Sequence, residues 1–119
     1  MGKTQKCGFF GFPLNHLTGV LDRLFTYAEG NSLTDEQMVF LKNEGIENID
    51  TGSKELLKAF DLQVIKSLEQ LKNTNPETLT ETRFVGRKML PSTVIGLLFH
   101  AAEHTTRHFG QMLVTIKIL

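Results

Sequence analysis

The chain has 119 residues, 40% of them hydrophobic, which is enough apolar material for one domain around a single core. Thirteen basic and thirteen acidic residues cancel, so no global field draws the protein to nucleic acid or to an anionic membrane, and neither is an expected partner. No apolar run is long enough to span a bilayer, and the single cysteine, Cys7, can close no internal disulfide, so the expected location is the cytoplasm.

Met1 to Gly8 carries no periodic signal and reads as a mobile tail, leaving residues 9–119 as the domain. The apolar part of this stretch is short and glycine-broken, which makes it a poor signal peptide. Gly8, Gly11 and Pro13 interrupt Phe9, Phe10 and Phe12, so a helix is expected to start here, with Pro13 in a first-turn position. From Leu14 the apolar residues fall at Leu14, Leu17, Leu21, Leu24 and Ala28, the three- and four-residue steps of a helix facing a core. Val20 and Phe25 widen that stripe, His16 flanks it, and Gly30-Asn31 is a natural stop. Thr34 and Gln37 have capping-box spacing, and Leu33 with Met38 suits a hydrophobic staple, which predicts a short helix ending near Glu44-Gly45.

A loop is expected over 45–52, and Ser53 can cap the next helix, whose expected buried stripe is Leu57, Phe60, Val64, Leu68 and Leu71. Asn73 to Pro76 ends it. Arg83 to Met89 is too short and glycine-broken to predict a sheet, and its three basic residues read most simply as a solvated loop. Pro91-Ser92-Thr93 opens a final helix whose expected apolar face holds Ile95, Leu98, Phe99, Ala102, Phe109, Met112 and Ile116. Gly96 and Gly110 would each cost about 1 kcal/mol in that helix, which suggests close packing against a neighbour. Three long helices and one short one make an all-α domain with bundle-like packing.

Three of the four histidines, His100, His104 and His108, stand at i, i+4 and i+8 on the last helix. Each step turns only about 40° around the axis, so His104 and His108 project side by side. A lone helical histidine is more often a surface or hydrogen-bonded residue than a ligand; the pair changes that balance. Tight zinc-type sites need at least three protein ligands, and His16 with His104 and His108 would supply them. His100 could be a fourth ligand, an outer partner or a boundary residue. The segment His104-Thr105-Thr106-Arg107-His108 has the histidine spacing of the metalloprotease helix but carries Thr105 where that motif has glutamate, which disfavours peptidase chemistry. Gln111 could orient His108 or a water, although an ordinary polar position fits its spacing as well.

His100-x-x-Glu103-His104-x-x-x-His108-x-Gly110-Gln111, with His16-Leu17-Thr18-Gly19-Val20-Leu21-Asp22-Arg23 upstream, resembles the DinB-like superfamily, which includes YfiT-like metal-dependent hydrolases and bacillithiol transferases. The resemblance covers roughly residues 9–119 and implies an up-down-down-up four-helix bundle. It implies a divalent metal, zinc or nickel, held by one histidine of the second helix and the paired histidines of the fourth, here His16, His104 and His108. The remaining metal positions would take water or a substrate thiol. Family members place another helix before the one with the first histidine, whereas only a short stretch precedes it here. The expectation is therefore a bundle lacking the family's first helix, its uncovered apolar face closed in a homodimer. Two functions follow. One is a metal-dependent enzyme of thiol-transferase or hydrolase type acting on a small-molecule thiol or electrophile, with no acid or base assigned and Glu44 and Gln111 only candidates. The other is a non-catalytic, stress-related metal-binding or helical interaction protein.

Overall fold

The computed structural model describes residues 2–44 and 52–118, with side chains at 14–44, 52, 54–114 and 117. The order is α1 (Gly2–Ala28), α2 (Asp35–Asn43), α3 (Ser53–Lys72), a single 3-10 turn at Pro76–Thr78, the strands β1 (Thr82–Val85) and β2 (Leu90–Thr93), and α4 (Val94–Ile118). The all-α expectation holds, with one small hairpin added.

α1 is the central element: it packs against both α3 and α4, which among the described residues make no comparable contact with each other. Its stripe of Leu14, Leu17, Leu21, Phe25 and Ala28 is buried, Leu17 completely, against Phe60 of α3 and Val94, Leu97, Leu98 and Ala101 of α4. The helix stops where the sequence says it should. Gly30 takes φ +86°, its N–H reaches the Tyr27 carbonyl at 2.9 Å and that of Asn31 reaches Thr26 at 3.2 Å, a Schellman closure.

The start differs. Residues 2–8, expected as a tail, are helical, and α1 runs unbroken through Gly8, Gly11 and Pro13. Propensity is a weak prior, and a long helix can carry such residues when its other turns are anchored. α2 forms as expected, with both capping-box bonds present between Thr34 and Gln37. The expected cap of α3 is displaced by one residue: Gly52 is the N-cap, with no side-chain bond, and Ser53 lies inside the helix. The loop expected at 45–52 lies, but for Gly52, outside the described residues.

Arg83 to Met89 is not a plain loop. Thr82 pairs with Thr93 and Val85 with Leu90 across an antiparallel ladder, closed by a turn in which Gly86 and Met89 have φ of +73° and +52°. Arg83 is tied down, because its Nε donates to the Ala28 carbonyl at 2.9 Å and so satisfies the end of α1. Gly96 is crowded only by the hydroxyls of Thr93 and Ser92 at 3.0 and 3.1 Å, Thr93 capping its N–H, while a Cβ on Gly110 would meet nothing within 4 Å. Close helix packing therefore does not explain Gly110.

Two expected stripes are corrected. On α3 the buried residues among those described are Phe60 and Ser67, while Leu57, Leu68 and Leu71 are about half exposed. On α4, Val94, Leu97, Leu98 and Ala101 face the core, whereas Ile95, Phe99, Ala102 and Phe109 are exposed and Met112 is half-buried. Ile116 lies outside the described side chains. Hydrophobic period marks residues that avoid water but does not say which have a partner within the chain. Among the described residues, no helix is long and apolar enough to cross a membrane.

Candidate metal centre

Packing of α1 on α4 brings three imidazoles together. Leu17 of α1 and Ala101 of α4 are both fully buried in the shared core, and His16 is next to the first in sequence as His100 is next to the second. The ring of His16 lies 5.5 Å from that of His104 and 5.7 Å from that of His108, and the latter two are 4.3 Å apart. One ligand atom from each of the three lies within 4.8 Å of the others. A point in such a triangle is then within roughly 2.8 Å of all three nitrogens, so each need move by no more than about 0.7 Å to reach a zinc-type bond of about 2.0–2.1 Å.

Two further observations fit a cation there. Nε2 of His104 is buried and has no hydrogen-bond partner among the described residues, an arrangement that costs free energy unless something fills it. The rings of His104 and His108 are also biased toward the neutral form, which offers a lone pair. Burial first, then His108 and His16, with smaller effects from Arg107 and His100, keep the His104 imidazole below its ordinary pKa. Burial, then His16 and Arg107, lower that of His108 against an opposing pull from Glu103.

Arg107 complicates the tautomer. Its Nη2 lies 3.3 Å from Nδ1 of His104, and a guanidinium only donates, which would place the ring proton on Nε2. That contact is long and exposed. A metal on Nε2 would move the proton to Nδ1 and turn Arg107 wholly to Glu103, with which it already pairs at 3.2 Å.

His100 stacks on His104 at 5.8 Å but is exposed and does not join the clustered nitrogens. Gln111 is exposed as well. Glu44 is buried at the end of α2, and its carboxylate lies between His16 and Arg23. It is thus placed to orient the His16 ring. Arg23 and Gly19 escaped sequence reasoning, although they stand at i+7 and i+3 from His16 on one face of α1. Beside the histidines a cleft of about 300 Å³ opens, lined by Val20, Leu24, Tyr27, Leu41 and Val85 with His16, His100 and His104 on its wall.

A helical bundle that turns three histidines from two helices onto one point defines a class of protein whose site is compatible with a divalent metal. The DinB family matches residues 14–119, and the chain belongs to that family. Comparison with curated proteins and with solved structures gives no match.

Proposed function

We propose that this is a metal-dependent enzyme of thiol-transferase or hydrolase type, with His16, His104 and His108 holding one divalent ion, zinc or nickel. The observation that carries it is the convergence of three ligand atoms to within 4.8 Å around a buried, unpartnered Nε2. Three imidazoles leave room for a further ligand, as in catalytic rather than structural sites. A bound ion supplies Lewis acidity, lowering the pKa of a coordinated thiol or water. The chain's own part is to keep the His104 and His108 rings neutral, fix the directions of all three and offer the apolar cleft beside them to a small thiol or electrophile.

The test is metal content. Protein purified without a histidine tag should carry about one divalent ion per chain, and His104→Ala should lose it. Wild-type protein that takes up no ion when supplied with zinc or nickel, and whose His104→Ala variant melts at the same temperature, refutes the assignment. A screen for conjugation of thiols to electrophiles, with and without chelator, then tests the reaction.

The protein is also proposed to pair with a second copy. A standard interface needs only about 800 Å² from each partner. Leu57, Ile65 and Leu68 on α3 and Ile95, Phe99, Phe109 and Leu113 on α4 are the exposed apolar side chains that such a contact would cover. At about 100° per residue those of α4 lie 20–100° to one side of Leu98 and the histidines lie on the other, so pairing leaves the cleft open. A net charge of zero puts no repulsion between copies.

A further inference from the structure

We propose that Glu44 is the positioning residue of the metal centre. Delivered by α2, it fixes the proton of His16 on Nδ1 so that Nε2 is the ligand atom. This rests on the metal-binding reading above.

Glu44 is 6% exposed, and a buried carboxylate is costly unless both oxygens are engaged. Oε1 lies 2.5 Å from Nδ1 of His16, and Oε2 accepts from Nη1 of Arg23 at 2.7 Å. A carboxylate only accepts, so the His16 nitrogen facing it carries the hydrogen, and in a neutral ring the lone pair is then on Nε2. Carboxylate–histidine pairs of this kind set the orientation and basicity of metal-bound imidazoles in general.

The build of α2 supports the same role. None of its nine residues is buried, and Met38, Val39, Phe40 and Leu41 are all exposed, so the helix adds little to the core. It meets α1 through polar contacts at its two ends and the edge of Phe40. At the first turn Gln37 Nε2 donates to Asp22 Oδ2 at 2.9 Å and to Thr26 Oγ1 at 2.8 Å; at the other end stands Glu44. The approach of that end is so close that a Cβ on Gly19 would lie 2.8 Å from Phe40 Cε1 and 3.0 Å from Glu44 Oε2, and 2.7 Å from Nη1 of Arg23 on α1 itself. A helix that buries no side chain of its own, yet is seated against a glycine to bring one carboxylate to His16, acts as a bracket for that ligand.

The experiment compares wild type, Glu44→Ala and Glu44→Gln, using cobalt(II) as the probe. Affinity is measured by competition with a chromophoric chelator, coordination by the visible d–d spectrum, and folding by the melting temperature of metal-free protein. Loss of an outer partner of this type weakens metal binding about 10–100-fold, so Glu44→Ala is expected to fall in that range with an altered spectrum. Glu44→Gln keeps an oxygen that can accept from Nδ1, so its loss should be smaller; it also carries the test if the alanine variant fails to fold. Variants that melt lower but bind cobalt with wild-type affinity and spectrum overturn the proposal, showing Glu44 to be a structural brace, and leave the metal-site reading standing. Wild-type protein that binds no cobalt overturns both.

Discussion

Gly19→Ala pits two effects of known size against each other. In an open helix interior, alanine in place of glycine gains about 1 kcal/mol, because the glycine chain loses more freedom on folding. At residue 19 the added methyl would sit 2.7–3.0 Å from Arg23, Phe40 and Glu44, well inside an ordinary contact of about 3.5–4.0 Å. The end of the Arg23 side chain could move alone at little cost, but it is bound to Glu44, which is bound to His16, so the group must shift together. Overpacking of this kind costs about 1–3 kcal/mol, which outweighs the helical gain and leaves a net loss of about 1 kcal/mol, or about 4 °C in melting temperature. Gly110→Ala is the control: its Cβ meets nothing within 4 Å, so it should gain up to about 1 kcal/mol. Urea unfolding of the metal-free variants measures both, and the two should differ by about 2 kcal/mol with opposite signs. If Gly19→Ala stabilises as much as Gly110→Ala, α2 is not seated against α1 as described.

Two further outcomes are expected. The imidazoles of His104 and His108 have lowered pKa values when folded, so just below 6.5 the unfolded chain binds more protons than the folded one. Stability of the metal-free protein should be fully present above that pH and fall on acidification through the imidazole range, a slope that His104→Ala should flatten; urea midpoints between about pH 8 and about pH 5 measure it, and no slope in wild type contradicts the assigned burial. Light scattering at micromolar concentration should give about twice 13.4 kDa, and Phe99→Asp, at a side chain 71% exposed, should return the chain to a monomer; a monomeric wild type removes the pairing proposal.

What the sequence reveals follows from the range of each interaction. The stripe of α1, the Gly30 stop and the Thr34–Gln37 box are local, set by residues within a turn or two, and all appear in the structure. His104 beside His108 is equally local, an i, i+4 pair. That His16 meets them depends on how α1 packs on α4, which no spacing within either helix states; the likeness to a family supplied it. The hairpin at 82–93 hid behind its basic residues, because Arg83 is spent on the Ala28 carbonyl, a contact spanning 55 residues.

The misassigned stripes of α3 and α4 have one physical cause. At about 100° per residue, Leu71, Leu57 and Leu68 lie about 20°, 60° and 80° to one side of Phe60, and Phe109, Ile95 and Phe99 lie about 20°, 60° and 100° to one side of Leu98. Each helix thus carries an apolar arc wider than α1 alone can cover, and the sequence periodicity averages the covered and uncovered parts into one stripe. A periodicity search finds the centre of the whole arc, whereas burial within one chain finds only the half that touches α1. The displacement between the two is itself information, since it points away from α1 on both helices and away from the histidines on α4. Glu44 shows the converse. It is a charged residue at the end of a short helix with no buried face, 28 positions from His16, and every local rule assigns it to solvent. Its burial becomes intelligible only when His16 and Arg23 are placed on the same face of α1 with nothing but a hydrogen on Gly19 between them, for there the charge has a donor for each oxygen and a reason to leave water.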